Sequence, residues 1–190
     1  MKVGLYFGSF NPIHHGHLLL ASYFLEEGGL DQIWFVVSPQ NPLKPAAALL
    51  NEYHRLHLVL LATEGEPRLK PSDIEFRLPR PSYTVDTLAY LTEKYPQHEF
   101  ILLMGSDSLQ NLEKWKNFAY ILRHFPIYVY LRQGHEHLPE FKEGHIRVFS
   151  APYLPISATH IREIRKSGRS IRYLVPESVR EEIERNGYYQ

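Results

Sequence analysis

The sequence predicts an α/β protein built on a mostly parallel sheet. Short, nearly continuous apolar runs such as QIWFVVS over 32–38, FILLM over 100–104 and IYVYL over 127–131 suit strands covered on both faces. Helical segments alternate with these runs at the spacing of strand–helix–strand units. Nothing repeats at a fixed period, and no segment is of low complexity.

In chain order, 2–7 (KVGLYF) is β-favouring and broken by Gly8, which predicts the first strand. Residues 17–27 predict a helix stopped by Gly28-Gly29, and 32–38 a buried strand. A helix over 51–64 follows, then a short strand over 68–70 and an irregular stretch through Pro71, Pro79 and Pro81. Residues 84–95 predict a helix ended by Pro96, with Thr84 as its N-cap. The strands over 100–104, 127–131 and 147–149 complete the sheet. The long loop over 133–144 reads as a surface excursion, and the last 35 residues as helical throughout. No boundary divides the chain, so residues 1–190 are expected to form a single domain.

Composition excludes several functional classes. The 190 residues contain no cysteine, which removes thiol catalysis, disulfide scaffolds and thiolate metal sites. With 21 basic and 21 acidic residues the formal charge is zero, which argues against a dedicated nucleic-acid binder. No apolar stretch approaches the roughly 20 residues of a membrane span, and the first apolar run is too short for a signal peptide. A cytoplasmic protein without membrane or nucleic-acid partners is the expectation.

The segment from Gly8 to His17 (GSFNPIHHGH) joins the first strand to the first helix, where ligands bind in open α/β sheets. It has neither the three glycines of a dinucleotide fingerprint nor the Gly-Lys-Ser/Thr of a Walker loop. With 11 histidines in the chain a bare HxxH pair carries little weight, and no third ligand stands nearby to make a zinc site. Position is what matters. His14 and His17 lie at a helix start, where unpaired N–H groups favour an anion, so two imidazoles there suit a phosphate.

His14-His15-Gly16-His17 strongly resembles the T/HxGH signature of the nucleotidylyltransferase superfamily. About 140 residues later, Ile156-Ser157-Ala158-Thr159-His160-Ile161-Arg162 resembles the ISxTxxR motif of its pyridine-nucleotide branch. Arg80-Pro81-Ser82-Tyr83-Thr84-Val85-Asp86-Thr87-Leu88, Met104-Gly105-Ser106-Asp107, Trp115, Asn41-Pro42-Leu43-Lys44-Pro45 and Arg132 are similar to segments of the bacterial nicotinate-mononucleotide adenylyltransferase family. Ala158 stands where many relatives carry a second serine, and Leu43 where relatives often carry histidine.

The resemblance implies a Rossmann-like nucleotidyltransferase fold with a small helical C-terminal part. It implies adenylyl transfer from ATP, with Mg²⁺ carried on the nucleotide, to nicotinate mononucleotide, giving deamido-NAD and pyrophosphate in NAD biosynthesis. His14 and His17 would be catalytic. Gly8, Ser9, Phe10, His14, His17, Gly105, Asp107, Ile156, Ser157, Thr159 and Arg162 would bind ATP. Lys44, Ser82, Tyr83, Thr84, Trp115 and Arg132 would bind the mononucleotide, with Arg80 adding a cation nearby; no protein-held metal is implied. A homo-oligomer is compatible with the sequence.

Ordinary alternatives exist for each feature. Trp115 suits core packing of a helix over 113–119, and Ser157 suits an N-cap with Ile156 as its apolar staple. Asp107 suits a first-turn acid, and His135 and His137 suit an exposed loop. Arg162, Arg165, Lys166, Arg169 and Arg172 suit a solvated helix face or a weak RNA patch. The competing functions are therefore a related transferase acting on nicotinamide mononucleotide or phosphopantetheine, and a non-enzymatic nucleotide- or RNA-binding module.

Overall fold

A computed structural model describes residues 1–39, 49–152 and 154–190. Six strands form one sheet: β1 (Lys2–Gly8), β2 (Gln32–Val37), β3 (Leu69–Ser72), β4 (Glu99–Gly105), β5 (Ile127–Tyr130) and β6 (Ile146–Phe149). Their order is β3-β2-β1-β4-β5-β6, and every neighbouring pair is parallel. The helices are α1 (His15–Glu27), α2 (Glu52–Thr63), α3 (Thr84–Lys94), α4 (Ser106–Leu109), α5 (Phe118–His124), α6 (Ala158–Lys166) and α7 (Glu177–Arg185). This is the Rossmann-type strand order, and the parallel sheet flanked by helices agrees with the expectation.

The apolar runs are continuous because alternate residues serve two cores. Val3, Leu5, Phe100, Leu102, Met104, Ile127 and Val129 face one side, packed against Leu88 and Leu91 of α3 and Ile121 of α5. Tyr6, Ile33, Phe35, Val37, Ile101 and Leu103 face the other, against Phe24 of α1, Leu58 of α2, Ile161 of α6 and Val179 of α7. In the central strands β1 and β4 no residue after the first is exposed on either face, so neither face shows the polar alternation of an exposed sheet.

Element boundaries shift by a few residues, and the larger differences have physical causes. The first helix starts at His15 rather than His17, because His14 is its extended N-cap. Tyr83, not Thr84, is the N-cap of α3; Thr84 is already helical. Trp115 is not inside a helix but ends a 3₁₀ turn over Leu112–Lys114. The C-terminal part is not helical throughout. Gly168 takes a φ of +73° just beyond α6, and Ile171 and Val175 then bury themselves in the core before α7 begins.

β1 runs between β2 and β4, and the chain leaves β1 toward one edge and returns to β4 toward the other. The crevice at such a reversal, beyond the strands' carboxyl ends, is where open α/β sheets bind ligands. Here it lies beyond Gly8 and Gly105, and a cleft of about 1280 Å³ opens there. Among the described residues no helix is long and apolar enough to cross a membrane.

Candidate active site

The loop after β1 turns sharply into α1. Phe10 adopts φ 43° and is buried, its ring set edge-on to His17 at 5.1 Å and to Tyr6 at 5.7 Å. His14 and His17 stack, ring centroids 3.7 Å apart and 25° from parallel. The His14 amide donates to His17 Nδ1 at 3.3 Å. An Nδ1 that accepts carries no proton, so neutral His17 holds its hydrogen on Nε2. Gly16 belongs to the same construction: a Cβ there would lie 3.0 Å from the His14 ring.

Both imidazoles are held neutral. Burial brings the His14 pKa down to about 4, with His15 and Arg132 adding repulsion. Burial also holds His17 well below the usual histidine range, followed by repulsion from His14 and Arg132. A neutral imidazole offers one N–H donor and one acceptor nitrogen.

The second motif docks onto this loop. Ser157 is the N-cap of α6, its Oγ accepting the His160 amide at 3.1 Å. Arg162 Nη1 donates to the carbonyl of Asn11 at 2.7 Å, and Nη2 to Thr159 Oγ1 at 3.2 Å. The His15 amide donates to the Leu174 carbonyl at 3.0 Å, and Tyr189 Oη to Asn11 Oδ1 at 2.8 Å. Gly8, Ser9, Phe10, His14, His17, Ile156, Ser157, Thr159 and Arg162 all line the cleft. The capping and phosphate-binding readings of Ser157 describe the same geometry, since a capped N-terminus still offers N–H groups.

Ser82, Tyr83, Thr84 and Trp115 line the same cleft. Trp115 both lines the cleft and packs against the core around α3. Lys116 lies 4.8 Å above the Tyr83 ring and pairs with Asp86 at 2.8 Å, tying the Trp115 turn to α3. Arg132 Nη1 donates to Asp107 Oδ2 at 2.8 Å, and the Arg132 amide donates to Ser106 Oγ at 2.9 Å. Asp107 and Arg132 are thereby joined as one ion pair in the cleft wall. A Cβ on Gly105 would overlap Asp107 Oδ1 and crowd Arg132, so a side chain there would displace the pair.

Arg80 does not face the cleft as expected; its guanidinium is engaged by Glu52 at 2.7 Å. Lys44, and the 41–49 loop up to Ala48, lie outside the described residues. Among the described residues no group of three or more His, Asp or Glu side chains is placed to hold a metal ion.

Two charged residues escaped the sequence reading. Arg55 is completely buried and donates to the carbonyls of Leu50, Ser9, Ser38 and Pro39, clamping the ends of β1 and β2 under the cleft. Its signal was an arginine on the same helical stripe as buried Leu58 and Val59. Glu75, 2% exposed, reaches the cleft from the 3₁₀ turn Ile74–Arg77. Its signal was weak, one acid between Ile74 and Phe76 in an irregular stretch.

The cytidylyltransferase-like family model matches residues 5–164. The probable nicotinate-nucleotide adenylyltransferase of Flavobacterium johnsoniae is 52% identical over 194 residues, covering all of both chains. That of Flavobacterium psychrophilum is 50% identical over 192 residues, again covering both completely. The solved nicotinic acid mononucleotide adenylyltransferase of Plasmodium falciparum, complexed with NaAD, superposes with a TM-score of 0.79 at 19% identity. It covers 99% of this chain and 97% of its own. On sequence and fold together, the chain belongs to the cytidylyltransferase-like family and, within it, groups with the nicotinate-nucleotide adenylyltransferases.

Proposed function

We propose that the protein transfers the adenylyl group of ATP to nicotinate mononucleotide, releasing pyrophosphate and forming deamido-NAD. The observation that carries this reading is the meeting of two helix N-termini in one cleft. His14 and His17 come from α1 and Ser157, Thr159 and Arg162 from α6, joined through Arg162 and the Asn11 carbonyl.

A phosphate oxygen of the mononucleotide attacks the α-phosphorus of ATP. A new P–O bond forms, the bond to the β-phosphate oxygen breaks, and pyrophosphate leaves with that electron pair. No protein nucleophile is required, so catalysis consists of in-line positioning and stabilisation of charge on the α-phosphate. His17 donates its Nε2–H to that phosphate, the tautomer being set by the His14 amide. Arg162 and the N–H groups at the start of α6 hold the departing phosphates.

ATP is taken as its Mg²⁺ complex. The phosphate end presents N–H, O–H and guanidinium donors rather than a carboxylate pair, which leaves the ion on phosphate oxygens and water. The acceptor lies between Trp115 and the start of α3. There the amides of Thr84 and Val85 have no partner among the described residues and suit a carboxylate.

Pyrophosphate release from ATP, measured with nicotinate mononucleotide, its amide and phosphopantetheine in turn, tests the assignment. Turnover is expected with the nicotinate acceptor first. Release with none of the three removes the reading.

A further inference from the structure

Glu75 has no part in the chemistry above, yet it is the most buried carboxylate against the cleft, and it is fully engaged. Its Oε2 accepts the Ser82 hydroxyl at 2.8 Å and its Oε1 the Thr87 hydroxyl at 3.0 Å. The Ser38 hydroxyl, just past β2, lies near enough to favour the ionised form of Glu75. One side chain therefore ties the carboxyl end of the sheet to the turn that opens α3.

A hydroxyl has one hydrogen. With those of Ser82 and Thr87 directed to Glu75, the turn presents its backbone amides to the cleft as donors. A carboxylate can take all these bonds because both oxygens accept. An amide of the same shape supplies one accepting oxygen and one NH₂, so one hydroxyl must turn away. Thr87 is fully buried and does not line the cleft. Its hydroxyl lies closer to Glu75 Oε1, at 3.0 Å, than to its other acceptor, the Tyr83 carbonyl at 3.3 Å, and so holds Glu75 to the first turn of α3.

We propose that Glu75 is a positioning residue for the mononucleotide acceptor. By fixing the Ser82–Thr84 turn it aims the α3 amides at the acceptor's carboxylate, and so sets acceptor affinity and the preference for nicotinate over nicotinamide. This rests on the adenylyl-transfer reading.

Steady-state kinetics with both substrates varied test it, with thermal unfolding run in parallel. For Glu75→Gln, KM for nicotinate mononucleotide should rise about tenfold or more, as for a lost buried hydrogen bond, while KM for ATP and kcat stay within about twofold. Preference over the amide acceptor should shrink with it. Thr87→Val, which leaves the cleft lining intact, should move the same constant in the same direction by about threefold. It also carries the test if the Glu75 variant does not fold. Glu75→Gln combined with Ser82→Ala should be no worse than the more damaging single change, because the two act through one bond.

An unchanged acceptor KM in the folded variants, equal rises in both KM values, or additive effects in the double variant each overturn the role. Wild-type protein that does not turn over nicotinate mononucleotide overturns the functional reading itself, and the Glu75 role with it. Failure of the Glu75 role alone appears as an active wild type with an unmoved variant.

Discussion

The ring of His14 lies on the ring of His17, and the amide of His14 fills His17 Nδ1. One residue thereby fixes both the orientation and the tautomer of the other. Histidine ¹⁵N spectra should show His17 protonated on Nε2 at neutral pH. His17→Ala should lower kcat by a factor on the order of 10² or more, the usual loss for a transition-state donor, with the fold retained. Near-wild-type turnover with unchanged ATP binding would remove His17 from the chemical step.

Burial makes the same pair a source of acid lability. Folded His14 titrates at about 4, against 6.5 for an unhindered imidazole. Between those values the unfolded chain binds more protons than the folded one, so stability is full above 6.5 and declines as pH falls toward 4. His14 alone accounts for about 3 kcal/mol over that window. Urea unfolding at a series of pH values should therefore show a shallower acid slope for His14→Asn than for wild type. Identical slopes contradict the assignment.

Gly16→Ala separates stability from activity. Alanine in place of a helical glycine favours the helix by roughly 0.5–1 kcal/mol. Yet its Cβ would approach the His14 ring to 3.0 Å and press on the stacked pair. The melting temperature should hold or rise slightly while kcat falls about tenfold, since small misplacements at a reacting centre are costly. Unaltered kcat would mean that the stack yields freely.

Arg162 has a fork that lysine cannot reproduce, with one arm on the Asn11 carbonyl and one on Thr159. Arg162→Lys should reduce kcat/KM about tenfold or more, whereas Arg165→Ala and Arg169→Ala, farther along, should stay within about threefold. Equal damage from all three would favour a diffuse basic surface and the nucleic-acid alternative.

At subsaturating concentration the nicotinate acceptor should be preferred over its amide by roughly 5–150-fold, the equivalent of one donor left unpaired at about 1–3 kcal/mol. Since Arg80 is held by Glu52, Arg80→Ala should change that ratio by less than about twofold. Equal rates with the two acceptors would sink the selectivity and leave adenylyl transfer standing.

The sheet was legible because strands covered on both faces leave a simple trace, runs such as FILLM in which no position can be polar. The two motifs were legible because their residues are local, each within one strand–helix or loop–helix junction. Arg80 was misplaced because its partner Glu52 is 28 residues away and nothing local announces the pair. Glu75 and Arg55 were missed for the same reason: their roles lie in bonds to Ser82, Thr87, Ser9 and Ser38 that form only after the strands align.

By itself, then, the sequence determined the α/β class, the order of its strands and helices, and the two motifs that open α1 and α6, since apolar runs, caps and glycines act over a few residues. Tertiary structure decided what those motifs do to each other. It brought Arg162 to Asn11 across 151 positions, stacked His14 on His17, and buried both imidazoles so that they stay uncharged. Desolvation and long-range hydrogen bonding depend on which surfaces meet, and that is set by the packed sheet, not by any local run of residues.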